Sequence, residues 1–351
     1  MTEPVEISLG PRKVGDGHPC YVIAEAGSNH NRDLDMARRL IDVAAQAGAD
    51  AVKFQTFSGR TLYSSRAPRF SYLEGVSALP PAELLESLEL PRDWQGPLAE
   101  HARACGIEFL SSPFDRQAVE ELDQLDVAAF KVASFELVDL PLIRHIGERR
   151  RPVILSTGMA TVGEIDEALE AARAGGAQQL AILQCASVYP APPSSMNLRA
   201  IPALKAAFGV PVGLSDHSLG THIPVAAVAL GADLLEKHFT LDRSLPGPDH
   251  SFAIEPDELR RLVAHVREVE DAMGDGVKRG PTPAEAEEMY TKARRSVVAA
   301  TRIPEGARIE SDMLTVKRPG FGIKPKFIDA LVGRTATTTI EEDEVITWDM
   351  V

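Results

Sequence analysis

Two histidines, His217 in GLSDHS and His238 in LLEKHF, each close a short apolar run, 21 positions apart. If successive strands carry those runs, both imidazoles reach one rim. There they can share a divalent cation with a carboxylate or water, leaving open positions for a substrate. As isolated residues they read equally well as hydrogen-bonded core histidines. Two lysines also stand inside apolar runs, Lys53 in AVKFQT and Lys131 in AAFKVAS. A lysine in a strand buried on both faces is paired or functional, because a lone buried ammonium is costly. Glu25 and Glu136 are carboxylates at hand for a purely structural pair. Ser112, Ser134, Ser156 and Ser215 end neighbouring runs. Hydroxyls and ammonium groups together can hold a small, multiply charged oxyanion without a phosphate loop. The pattern asks for a small phosphorylated acid beside a metal ion.

These residues need a frame that brings strand ends together. Eight β-rich runs, at 21–27, 51–56, 107–112, 128–134, 152–157, 180–186, 211–216 and 233–239, alternate with segments of helical period such as 34–49, 164–177, 224–232 and 258–274. That alternation predicts an α/β chain folded as a (β/α)8 TIM barrel, and no GxGxxG follows the first strand to favour a dinucleotide fold. Catalytic groups in such a barrel come from the carboxyl ends of the strands. In order, those ends carry Glu25; Lys53 and Gln55; Ser111 and Ser112; Lys131 and Ser134; Ser156 and Thr157; Gln184, Ser187 and Tyr189; Ser215, Asp216 and His217; and Glu236, Lys237 and His238. His30, in EAGSNHN, is an alternative metal ligand or a helix cap. Beyond residue 273 the texture turns polar, which places a catalytic barrel at 1–275, a linker at 276–293 and a small β-rich domain at 294–351. A core of that last size is marginal alone and is expected to dock.

Composition narrows the class. The 351 residues are 44% hydrophobic and 25% charged, with a net charge of −14, which disfavours a nucleic-acid or anionic-membrane surface. No run is long and apolar enough for a membrane span, and the start lacks the apolar region of a signal peptide. Three scattered cysteines, Cys20, Cys105 and Cys185, suit a reduced, cytoplasmic protein. Cys185 reads as a small apolar filler.

Ten segments in chain order, EAGSNHN, AVKFQTF, FLSSPFD, FKVASFE, ILSTGMA, QCASVYPAP, GLSDHS, EKHF, PGPDHSFAIEP and VKRPGFGI, resemble the sialic acid synthase family. Its members condense phosphoenolpyruvate with an N-acetylated hexose. The resemblance implies a TIM barrel followed by an antifreeze-like (SAF-type) domain, in a homodimer that swaps its C-terminal domains. By position, His217 and His238 are similar to the family's metal ligands, for manganese first, with magnesium or cobalt as alternatives. Lys53, Lys131, Ser112, Ser134, Ser156 and Ser215 resemble the phosphoenolpyruvate contacts, and Ser187 stands where asparagine is frequent. Glu25, Gln55, Glu136, Tyr189, Glu236 and Asp249 resemble residues that line the sugar site. Arg318 is similar to the arginine that the small domain sends into the partner subunit's site. Glu25, Lys53, Lys131 and Glu236 form the expected catalytic set, with Glu25 as acid/base or water-orienting group.

Two features bear on the acceptor sugar. Phe135 in KVASFE resembles pseudaminic acid synthases and is expected to narrow the pocket wall, whereas PGPDHSFAIEP is closer to the neuraminate, legionaminate and spore-coat type. The loop 59–70, with Arg60, Arg66 and Arg69, offers cations for a phosphorylated sugar or is a solvated lid. Two other classes compete: a metal-dependent phosphosugar aldolase or isomerase on the same barrel, and an ice-binding tail. The charges of Lys317 and Arg318 argue against the second.

Overall fold

The chain opens on a hairpin, β1 (Glu6–Leu9) and β2 (Arg12–Gly15), in the computed structural model, which describes residues 5–64, 66, 80–286 and 288–351. Arg69 therefore lies outside the described residues. Eight parallel strands follow: β3 (Tyr21–Gly27), β4 (Ala51–Thr56), β5 (Glu108–Pro113), β6 (Phe130–Val132), β7 (Val153–Ser156), β8 (Leu180–Cys185), β9 (Val212–Asp216) and β10 (Leu234–His238). Their order, β5-β4-β3-β10-β9-β8-β7-β6, wraps the first strand against the last, and β5 packs beside β6 to bring the sheet nearly to closure. This is the TIM-type barrel expected from the alternation of strand and helix.

Around it lie α1 (Leu34–Gln46), α2 (Gly59–Leu62), α3 (Pro81–Leu88), α4 (Gln95–Ala104), α5 (Arg116–Gln124), α6 (Leu140–Gly147), α7 (Val162–Gly175), α8 (Ala200–Phe208), α9 (His222–Ala229) and α10 (Pro256–Met273). Helix α1 starts where Asp33 accepts hydrogen bonds from Asp35 N and Met36 N, and buries Ala37, Leu40, Ile41 and Ala44 at the helical spacing. Helix α7 starts with a capping box of Thr161 and Glu164 and stops at the left-handed Gly176.

Strand periodicity divides the lumen into two storeys. Tyr21, Ile23, Ala51, Leu110, Ile154, Ala181, Leu183 and Leu234 form an apolar lower layer, closed by Ile7, Leu9 and Val14 of the hairpin. Two residues further along the same strands, the inward positions become Glu25, Lys53, Ser112, Ser156, Cys185 and Glu236. The plug keeps water from the lower lumen, so the polar layer above it stands on a dry floor.

Asp275–Val351 form a second compact unit. It contains α11 (Pro283–Ala286) and one antiparallel pair, β11 (Ser296–Ala299) with β12 (Leu314–Lys317), and its core includes Val297, Ile303, Ile309, Leu331, Ile340 and Ile346. Single bridges such as Ile303 to Ile340 and Arg308 to Thr335 replace most of the short strands its sequence suggests.

Candidate active site

The upper storey is a ladder of alternating charges. Lys53 Nζ lies 2.8 Å from Glu25 Oε2 and 3.6 Å from Glu236 Oε2, and donates to Ser112 Oγ at 3.2 Å. Lys131 Nζ lies 3.4 Å from Glu236 Oε1, which also accepts from Ser215 Oγ at 2.9 Å. Gln55 Nε2 donates to Glu25 Oε1 at 2.7 Å. Both lysines and both carboxylates are at most 3% exposed. Each lysine thus has a carboxylate near it, but the two cations share Glu236, which leaves capacity to attract a further anion.

Burial and neighbours push the two carboxylates apart. Burial, reinforced by Glu236, raises Glu25 above the usual carboxylate range against the pull of Lys53. Burial also opposes charge on Glu236, yet Lys131 and Lys53 outweigh it and hold that group ionised. Lys53 stays above its ordinary value because the two carboxylates outweigh burial, while burial and Lys53 bring Lys131 down. Two carboxyls driven in opposite directions in one pocket are the usual signature of an acid/base pair.

A second group of hydroxyls lies around Gly158. Its N–H donates to Ser134 Oγ at 3.1 Å, and a Cβ built there would meet Ser187 Oγ at 2.1 Å and Ser134 Oγ at 2.8 Å. The hydroxyls of Ser156 and Ser187 are buried without a hydrogen-bond partner, as is Glu136 Oε2. Buried orphans of this kind are rare unless a ligand satisfies them. Burial raises Glu136 to about 7, with Lys131 opposing.

His217 and His238 end at the mouth with ring centroids 5.2 Å apart. The Nδ1 of His217 faces Ala186 O at 2.9 Å and Cys185 Sγ at 3.7 Å, which fixes the ring. His238 Nδ1 is buried without a hydrogen-bond partner and lies 3.9 Å from Asp249 Oδ2. Burial, then His217 and Lys53, push His238 well below the ordinary imidazole value, so it is neutral, the state a metal requires. Two imidazoles with a carboxylate nearby are the donor types of a divalent transition-metal site. Their three donor atoms do not all lie within 4.8 Å of one another, and burial of His217 is outweighed by Cys185, which holds that ring above the ordinary imidazole value. Asp249 Oδ2 also faces Gly27, whose φ of +50° and missing Cβ allow Asp249, Glu25 and Gln55 to meet over its Cα. Tyr189 and Phe252 wall the histidines, at 4.3 Å from His217 and 5.2 Å from His238 respectively.

A family model described as NeuB family matches residues 40–278, and one for the SAF domain matches 294–351. The chain belongs to the NeuB family. The N,N'-diacetyllegionaminic acid synthase of Campylobacter jejuni is 42% identical over 93% of this chain and 98% of its own. The N-acetylneuraminate-9-phosphate synthase of Homo sapiens is 39% identical over 99% of this chain and 97% of its own. The solved N-acetylneuraminic acid synthetase of Leptospira borgpetersenii, 34% identical, superposes with a TM-score of 0.73 over 82% of this chain and 97% of that one. This NeuB-family chain is an enzyme of the sialic acid synthase type, carrying a barrel and a C-terminal SAF domain.

The structure of this NeuB-family barrel brings together Glu25, Lys53, Gln55, Ser112, Lys131, Ser134, Glu136, Ser156, Ser187, Tyr189, Ser215, His217, Glu236, His238 and Asp249 at the carboxyl ends of the strands. Arg318 lies in the SAF unit, exposed just after β12. Five strand-end residues do not face the lumen, among them Gln184, which donates to Met196 O. Ser111 bonds Thr56, Thr157 donates to Leu183 O, and Asp216 and Lys237 pair with each other, because alternation turns every second side chain outward. His30 is not among the mouth histidines; its Nδ1 accepts from Arg32 N. Cys185 is more than filler, since its thiol contacts His217. Phe135 is 55% exposed, one residue after Ser134 in the turn that follows β6. Gly27, Gly158 and Phe252 escape sequence reasoning, although Gly27 and Gly158 sit inside EAGSNHN and ILSTGMA. Among the described residues, the three donors within 4.8 Å of one another are Asp42, His101 and Cys105, on α1 and at the end of α4, away from the mouth.

Proposed function

We propose that this enzyme condenses phosphoenolpyruvate with the open-chain form of an N-acetylated hexose, N-acetylmannosamine or a 2,4-diacetamido hexose, giving a nine-carbon 2-keto acid and inorganic phosphate. The observation that carries this reading is the pair of buried lysines, Lys53 and Lys131, at the same barrel mouth as orphaned serine hydroxyls and two imidazoles. The lysines and Ser112, Ser134, Ser156, Ser187 and Ser215 bind the carboxylate and phosphate of phosphoenolpyruvate and hold its C3 towards the acceptor. His217 and His238, with Asp249 adjacent, hold a divalent cation, manganese being our first choice; when bound it polarises the sugar aldehyde. Carbon C3 forms a bond to the aldehyde carbon, whose oxygen becomes a hydroxyl, and water adds at the positive C2. The C2 hydroxyl so formed becomes the ketone as the C2–O bond to phosphate breaks, the two protons of water ending on the new hydroxyl and on phosphate. Glu236, kept ionised, stabilises the developing positive charge, and Glu25, raised towards neutrality, passes the water's proton. Gln55 orients Glu25, while Tyr189, Glu136 and Asp249 line the sugar side.

Several apolar residues on the rim, Phe135, Val138, Met159, Val162, Val188 and Leu219, are each at least 50% exposed. Such a belt supports a homodimer in which the partner's SAF domain covers the mouth and delivers Arg318. Among the described residues no helix is long and apolar enough to cross a membrane; a cytoplasmic site of action is our reading of the three free cysteines. A pseudaminic acid or spore-coat-type acceptor remains within the same chemistry.

Phosphate release with N-acetylmannosamine and with 2,4-diacetamido hexoses tests the reading. Release should require both substrates, cease on chelation and return with manganese. Aldol cleavage of a phosphosugar without phosphate release would establish the aldolase class instead, and a borohydride-reduced adduct on Lys53 or Lys131 would rule out direct condensation.

A further inference from the structure

Asp216 and Lys237 face away from the lumen on β9 and β10, yet they are 0% and 1% exposed. They are register partners across the parallel ladder, one residue before His217 and one residue before His238. Lys237 Nζ lies 2.7 Å from Asp216 Oδ2 and also donates to Ser218 O. Asp216 Oδ1 accepts from Ser218 N at 3.0 Å. Lys237, rooted beside His238, therefore holds the carboxylate of the residue before His217 and the carbonyl of the residue after it. Ala186 O orients the His217 ring and Ala191 N donates to His217 O at 2.9 Å, so the β8 side holds His217 itself, while Asp216 and Lys237 tie the turn to β10.

A pair sealed this deeply is a weak source of stability, since desolvation offsets most of the attraction. Fixing geometry is the use best attested for such pairs. We propose that Asp216 and Lys237 are positioning residues, which clamp the 216–218 turn to the end of β10 so that the imidazoles of His217 and His238 converge on one cation. This rests on the reading of the two histidines as cation ligands. The clamp touches neither the substrates nor the cation; Lys237 adds only a minor charge effect on His238, behind those of His217, Lys53 and Glu236, so the clamp acts chiefly through backbone position.

The test is manganese binding to the full-length, metal-stripped protein, read by the paramagnetic resonance of free Mn2+, with thermal melting alongside. The variants are His217→Ala, Asp216→Asn and the double exchange Asp216→Leu with Lys237→Met. The double variant leaves no buried charge unpaired and should melt near the wild type. Its manganese affinity should nonetheless fall about tenfold or more, as for other outer partners of metal ligands, with kcat reduced and the KM for phosphoenolpyruvate little changed. Wild-type affinity in a folded double variant overturns the proposal. Should that variant not fold, Asp216→Asn serves: it keeps the acceptor for Ser218 N but leaves Lys237 buried without its partner, so it should melt lower than the wild type. Measured well below that melting temperature, weaker manganese binding supports the clamp and unchanged binding overturns it. A wild-type protein that takes up no manganese, or a His217→Ala variant that binds as tightly, refutes the cation reading and the clamp with it. Tight wild-type binding matched by the double variant refutes the clamp alone.

Discussion

Replacing Gly158 by alanine places one methyl group where two hydroxyls meet. The added Cβ would lie 2.1 Å from Ser187 Oγ, 2.8 Å from Ser134 Oγ and 3.1 Å from Ser134 Cβ, so neither hydroxyl can keep its place. Gly158 is not in the left-handed region, so the backbone accepts alanine and the effect is steric. Turning Ser134 away also breaks the bond it accepts from Gly158 N. If both hydroxyls bind the phosphate or carboxylate of phosphoenolpyruvate, each lost bond to a charged group costs about 1.5–3 kcal/mol. Together the losses come to about 3–6 kcal/mol, which is at least about a hundredfold in kcat/KM for phosphoenolpyruvate. The assay is steady-state phosphate release at saturating sugar. A second exchange sharpens it: Ser187→Ala removes the atom in the tightest contact, so the loss in the double variant should be smaller than the sum of the two single losses. A kcat/KM within threefold of the wild type, or strictly additive losses, would show that these hydroxyls are not the anion cradle.

Further predictions concern the charge ladder. Lys53→Met leaves Glu25 and Glu236 facing one another without their shared cation and should cost about 3–5 kcal/mol in urea unfolding, with Glu25→Gln in the same chain recovering most of it. A loss below about 1 kcal/mol would mean that the ladder is hydrated rather than dry. Glu136, raised to about 7 by burial, is protonated in the fold where the unfolded chain is already ionised. Its contribution is present below the unfolded value near 4.3 and is lost as pH rises through about 7. The stability of Glu136→Gln relative to wild type should therefore climb between about pH 4 and pH 7, by at most about 4 kcal/mol, and then level off. A flat difference would contradict it.

Much of the frame is legible from residue pattern. The eight apolar runs, the helices between them and the change of texture near residue 273 depend on local periodicity, which a chain displays without its contacts. Lys53, Lys131 and Glu236 announce themselves for the same reason, as charges inside runs that are otherwise apolar. The SAF unit is less readable: its core is held by turns and single bridges, which carry no period to detect.

Which strand-end residues share the lumen was decided only by the closed sheet. Asp216 and His217 are equally polar neighbours, and strand alternation sends one to the outer layer and the other to the mouth. The pairing of Lys53 with both Glu25 and Glu236 joins the first, second and last barrel strands, segments some 180 residues apart, and follows from the sheet wrapping back on itself. Gly27 and Gly158 acquire meaning from what stands beside their absent side chains. Residue types and spacing thus determined the chemistry available to this protein, because burial and periodicity are local properties of a chain. Distance between charges is not local, so only the barrel's closure and register decided which groups act on one another.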